Sequence, residues 1–283
     1  MPKKILIQRD ISWLSFNARV LQEANDPEVP LKERIRFLGI FSNNSDEFFR
    51  VRVATLKRML EFAEKRKKLN MHMEDAPQAI LDQIQTIVLQ QQNEFNRIWD
   101  GILKELKKEG ILLVDEKHLN KEQQLFVKKY FDEEVRSNII PLMIESLPQL
   151  PYLRDKSIYL GVVMRKKNSA YHQKYSLIEV PVKATGRFIQ LPSRINEKHI
   201  ILLEDVIRFN LPNIFSYFEY DYFDSYVFKV TKDAEIDLDN DVSTSFVEKM
   251  EKGVKNRRKG KPVRFVYDKE MDAGLLEYLI RRL

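Results

Sequence analysis

The sequence predicts a multidomain chain of α and α+β class: an N-terminal helical bundle over residues 1–110, then an α+β domain over 111–283. Three observations predict it. A length of 283 residues suits about two domains. Apolar positions recur at spacings of three and four from residue 12 to 109. Beyond Gly110 the pattern changes to short alternating runs separated by helical stretches.

Ser12 is placed to cap a first helix carrying Trp13, Phe16, Val20 and Leu21, which ends near Asn25-Asp26-Pro27. A second helix starts after Pro30 with Ile35, Leu38 and Phe41 on one face. It is expected to meet a polar interruption at Ser42-Asn43-Asn44-Ser45 and to resume at Asp46-Glu47. Asp75, with Pro77 in the first turn, opens a long helix whose stripe Ile80, Ile84, Ile87, Phe95, Ile98, Ile102 is interrupted only by Gln91; Gly110 ends it.

In the second domain Asn120 and Gln123 form a capping-box start for a helix through Phe126, Tyr130 and Val135, stopped before Pro141. Ser157–Met164 and Tyr175–Val180 read as a hairpin around the basic turn 165–169, and Tyr226–Thr231 and Val263–Tyr267 as further strands. Helices are expected at Glu204–Asn210, at Val242–Lys255 capped by Asp241, and at Lys269–Leu283 capped by Asp268. The closing amphipathic run, without Gly, Pro or polar tail, reads as a cut in or just after a helix in a longer protein.

Composition narrows the chemistry. There is no cysteine, which excludes disulfides, thiolate metal sites and cysteine nucleophiles and suits a reducing cytosol. No apolar run approaches the ~18 residues of a membrane span. The net charge of +6 is spread along the chain, which allows an anionic partner without demanding one. No phosphate loop, dinucleotide fingerprint, nucleophile elbow or zinc-protease motif is present. His72, His118, His172 and His199 stand singly, with no nucleophile or ligand spacing around them. Asp237, Asp239, Asp241 and Glu248 approach a calcium-loop spacing, but Val242 occupies the position that needs Gly, so a solvated acidic linker is the better reading. Two basic clusters, at Lys57, Arg58 and 65–68 and at 249–261, read first as solvated faces and second as anion contacts.

The segment Phe41 to Arg52 concentrates polar groups. It reads either as helix punctuation, with Asn or Ser caps, or as a recognition site. An Asn43- or Asn44-type amide can pair with donor and acceptor on a base edge, and Arg50 or Arg52 can neutralise phosphate.

Ile11-Ser12-Trp13-Leu14-Ser15-Phe16-Asn17, Arg19-Val20-Leu21, Pro30-Leu31, Glu33-Arg34, Phe37-Leu38 and Ser42-Asn43-Asn44 with Asp46-Glu47-Phe48 resemble, in this order, the start of bacterial polyphosphate kinases. Glu179-Val180-Pro181, Leu191-Pro192, Asp233-Ala234-Glu235 and Pro262–Tyr267 resemble the next, head domain of that family. The resemblance implies reversible transfer of the terminal phosphate of ATP to polyphosphate through a phosphohistidine, with magnesium, in a cytoplasmic homo-oligomer assembled through the head domain; peripheral membrane association is compatible with it. It implies that Asn44 contacts ATP near the base. It also implies that the reactive histidines and the magnesium ligands lie outside these residues, so that the chain alone is inactive. The partners are then ATP or ADP and inorganic polyphosphate, with no nucleic acid. The competing readings are a non-catalytic anion- or RNA-binding α+β module and an assembly scaffold.

Overall fold

The computed structural model describes residues 8–67, 76–167, 169–234 and 260–283; of residues 64–67, 76 and 169–172 it describes the backbone alone. The chain packs as two units, residues 1–106 with 231–264, and residues 107–230 with 265–283.

Among the described residues the first unit holds the helices α1 (Arg9–Asn25), α2 (Leu31–Phe48), α3 (Ala54–Lys67) and α4 (Ala76–Lys108). One apolar cluster joins Leu21, Ala24, Leu38, Phe41, Ile98 and Ile102; a second joins Leu14, Phe48, Val53, Leu56 and Ile84. Trp13 stacks on Phe48 with ring centroids 4.6 Å apart. Two sequence expectations about α1 are corrected. The helix begins at Arg9, with the Gln8 side chain accepting the Ile11 N–H, so Ser12 lies inside it and is not its cap. Its buried stripe is Asp10, Leu14, Asn17, Leu21 and Ala24, while Phe16 is exposed. The bulk of Phe16 suggested the wrong face; two polar residues occupy the true one.

The expected interruption at Ser42–Ser45 and the expected new start at Asp46 are also corrected. The helix runs unbroken from Leu31 to Phe48 and continues through a π-helical turn, Phe49–Val53, into α3. Ser45 does not leave the helix to find a partner, because its hydroxyl donates to the Phe41 carbonyl one turn back, at 2.9 Å. Such back-bonding bends helices, and the wider π turn follows within one turn.

In the second unit β1 (Ile111–Leu113) pairs in parallel with β6 (Lys198–Leu202), which pairs antiparallel with β5 (Phe188–Leu191). The other sheet has the order β2 (Leu142–Met143), β4 (Ser169–Glu179), β3 (Ile158–Lys166), β7 (Tyr222–Lys232), β8 (Pro262–Tyr267). The β3–β4 hairpin pairs Tyr159 with Glu179 and Met164 with Lys174. The helix α5 (Lys121–Tyr130) carries the full reciprocal capping box between Asn120 and Gln123. It reaches Val135 only through a π turn, Phe131–Val135. Short helices α6 (Val182–Thr185), α7 (Leu203–Phe209) and α8 (Leu211–Ile214) follow, and α9 (Ala273–Arg282) closes the chain. Its N-cap is Asp272, whose side chain accepts the Leu275 N–H, and not Asp268. Asp268 is committed elsewhere, accepting the Val227 N–H at 2.6 Å and facing Arg208 at 3.2 Å. Gly161 on β3 lets α9 approach, since a Cβ there would stand 2.8 Å from Leu275. The expected helix at 242–255 and the acidic stretch 237–248 lie outside the described residues.

Candidate functional site

Asn44 lies in the interior of α2, so it terminates nothing. Its half-buried amide donates from Nδ2 to Oδ1 of Asn17 at 3.0 Å. Asn17 is fully buried on α1, and its own Nδ2 reaches the Ser45 hydroxyl oxygen at 3.3 Å and the Phe41 carbonyl at 3.4 Å. Both are acceptors: a carbonyl cannot donate, and the Ser45 proton is already spent on Phe41. The Asn17 amide is thereby turned with its oxygen toward Asn44. Asn44 gives one N–H to this contact and retains its Oδ1 and a second N–H, the donor–acceptor pair that a base edge requires. Asn43, one residue earlier, is exposed.

The two arginines of the π turn are placed differently. Arg52 spends two N–H groups on Asp10, at 2.7 and 3.2 Å, and this bond raises its pKa. Asp10 is 2% exposed; burial pushes its carboxyl up, and the Arg52 and Gln8 hydrogen bonds more than reverse this, leaving it below the usual carboxylate range. The Arg50 guanidinium is largely buried, with Nε 3.7 Å from Glu47. Asn44 thus lies on α2, and Arg50 and Arg52 lie on the π turn that follows it, each with a different partner.

Around them lie contacts that the sequence did not announce. Asp46 accepts from Arg264 at 3.0 Å, and the Arg264 guanidinium sits 4.8 Å above the Phe49 ring. Burial lowers the Arg264 pKa against the opposing pull of Asp46. Gln91, the one break in the α4 stripe, donates to the Leu14 carbonyl at 2.9 Å. The signal for Asn17 was present but faint, a polar residue at i+3 from Leu14 and i−4 from Leu21 on the buried face.

The two histidines with described side chains have separate partners. His118 is exposed beside Asp115 at 2.6 Å, and His199 lies between Gln123 at 2.8 Å and Glu197 at 3.0 Å. The side chains of His72 and His172 are outside the described residues. Among the described residues no group of three or more His, Asp or Glu is placed to hold a metal ion. Of the basic clusters, Lys57 reaches the Val263 carbonyl, Arg58 pairs with Asp233, and Lys261 pairs with Glu61. The remaining members lie outside the described side chains.

The family profile "Polyphosphate kinase N-terminal domain" matches residues 6–114, and "Polyphosphate kinase middle domain" matches residues 122–283. The chain belongs to the polyphosphate kinase family. It is 40% identical to a polyphosphate kinase of Vibrio parahaemolyticus and 38% identical to that of Escherichia coli K12, each over 99% of this chain and 40% of the relative. The crystal structure of polyphosphate kinase from Porphyromonas gingivalis superposes with a TM-score of 0.78 at 30% identity, over 98% of this chain and 37% of that one. The chain thus spans about 40% of the length of the polyphosphate kinases that it matches. Among the described residues no helix is long and apolar enough to cross a membrane.

Proposed function

We propose that these residues are the nucleotide-positioning and assembly portion of an ATP:polyphosphate phosphotransferase, with a helical N-terminal domain ending at residue 110 and a head domain over 111–283. In this reading the terminal phosphate of ATP passes reversibly to polyphosphate through a phosphohistidine formed outside the chain. Family membership supports the reaction class. The observation that carries the local role is the Asn44 amide, anchored through one N–H and left with one donor and one acceptor.

Phosphoryl transfer is governed by positioning and charge stabilisation. Asn44 would hold the base end of ATP. Arg50 and Arg52 follow on the π turn after α2, Arg52 with part of its fork already given to Asp10. Magnesium would accompany the nucleotide phosphates; the described residues offer no cluster to hold it. Homo-oligomer contacts are assigned to the head domain and its 165–169 turn, and the reaction to the cytoplasm.

The test is polyphosphate synthesis by the parent polypeptide, this chain continued by the remaining domains of its relatives, as a function of ATP concentration. Asn44→Ala should lower kcat/KM for ATP about 5- to 150-fold, the loss expected when a base-edge hydrogen bond is left unmade, while Asn43→Ala should change it less than about twofold. An unchanged kcat/KM in a folded Asn44→Ala enzyme would remove the nucleotide role.

A further inference from the structure

We propose that Asn17 is a positioning and specificity-determining residue: by fixing which way the Asn44 amide faces, it makes the site select a purine with an amino group at position 6 over one with a carbonyl there. The inference rests on the reading of Asn44 as a nucleotide contact.

A carboxamide at half exposure normally turns over at little expense, because its oxygen and nitrogen ends are nearly the same shape and water serves either. Asn44 is not free in this way. Its inner neighbour is the Asn17 oxygen at 3.0 Å, so the inward atom of Asn44 must be nitrogen. Reversing the Asn17 amide would turn its oxygen onto the Phe41 carbonyl at 3.4 Å and would oblige the Ser45 hydroxyl, at 3.3 Å, to give up its hydrogen bond to Phe41, with Asn17 sealed from solvent. Unpaired acceptors facing one another in a buried site are strongly unfavourable. Polarity thus passes from a helix carbonyl that can only accept, through Asn17, to the atom that Asn44 presents outward, its Oδ1.

An outward acceptor pairs with the 6-amino group of adenine and opposes the 6-carbonyl of hypoxanthine. If the amide could turn over, its N–H₂ would meet the carbonyl and the discrimination would shrink. Rejection of an analogue depends on the site being unable to re-pair, and Asn17 supplies that constraint. Leucine at position 17 removes it with little change of volume. Phe41 keeps its hydrogen bond from Ser45, and the half-buried Asn44 retains access to water, so no buried polar group is orphaned.

The experiment compares ATP with inosine triphosphate as phosphate donors for the parent polypeptide, with melting temperatures recorded in parallel. The unmodified enzyme should favour ATP in KM. In folded Asn17→Leu the ratio of the two KM values should fall about 5- to 20-fold, with the larger change on ATP and kcat for ATP held within about twofold. Should Asn17→Leu not fold, Asn17→Ala leaves room for a bridging water, suits a helix better, and carries the same expectation. A KM ratio unchanged in the folded Asn17 variant but lost in Asn44→Ala would overturn the role of Asn17 and leave that of Asn44. A ratio and an ATP KM unchanged in both would overturn the two together.

Discussion

Asp205 offers a quantitative check on the electrostatics of the second unit. It is 6% exposed at the start of α7, and its Oδ1 accepts from Arg208 at 2.7 Å. A pair this close would ordinarily hold a carboxyl low. Burial instead dominates and pushes the Asp205 pKa up to about 6 from 3.8; Arg208 opposes it, while Glu116 and Glu204 add to it. Arg208 is a divided partner, since it also donates to Ser225 and Asp268, each at 3.2 Å. Because the folded state binds this proton more tightly than the unfolded chain, the contribution of Asp205 to stability is greatest below pH 3.8 and is lost as pH rises through about 6. At 1.36 kcal/mol per pH unit the difference is on the order of 3 kcal/mol. Asp205→Asn keeps an acceptor for Arg208 without the buried charge, and should stabilise the unit at pH 7.5 by about 1–3 kcal/mol, the attraction of Arg208 being already contained in the shift. Trp13 and Trp99 both lie in the first unit, so tryptophan fluorescence reports on the wrong part of the chain. Amide hydrogen exchange over residues 203–209, corrected for intrinsic rates at pH 4.5 and 7.5, reads the right one. The reasoning fails if protection in the unmodified protein does not fall between these pH values, or if Asp205→Asn shows the same fall.

Two further outcomes follow from buried contacts. Arg264→Met should destabilise the first unit by about 1–3 kcal/mol, because the buried Asp46 carboxylate would lose its charge-assisted hydrogen bond from Arg264, and Arg264→Met with Asp46→Asn should recover part of this; urea titration followed by tryptophan fluorescence measures both, and equal losses in single and double variants would refute it. Gly110→Ala should cost about 1–3 kcal/mol by circular dichroism melting, since Gly110 has φ 73° and a Cβ there would stand 2.6 Å from the Asn196 carbonyl oxygen.

What the sequence discloses depends on how local the cause is. The capping box at Asn120 and Gln123 is complete within four residues, and the glycine at 110 answers a backbone angle at that residue, so both were legible. The apolar run of β3 and the alternation in β7 are long enough to be legible for the same reason. Strands β1, β2, β5 and β6 are two to five residues long and owe their existence to partners far away in sequence, as when Ile111 pairs with Lys198. Too few side chains are present there for a period to emerge. Asp268 and Asp272 are equally good caps on paper, and only the Val227 N–H, 41 residues away, decides between them.

The misreading of Ser42–Ser45 has a different origin, and it bears on the site. Ser and Asn weaken isolated helices because their side chains compete for the backbone, so four in a row suggest a break. Here the competition is settled by a buried partner: Asn17 takes up Asn44 and Ser45 together. The same unit holds Asp10 on Arg52, Gln91 on the Leu14 carbonyl, and Asp46 on Arg264, all of them polar contacts at buried positions in a bundle that apolar side chains could fill. Apolar packing would hold these helices at least as firmly, but it tolerates small rotations, since one hydrophobic surface slides over another at little cost. A rotation of α1 by a single residue would break the Asp10, Asn17 and Leu14 contacts at once, each leaving a buried group unmatched. The concentration of these groups around α1 and α2 is best understood as the means by which one half-exposed amide, Asn44, is held in a single place and a single orientation.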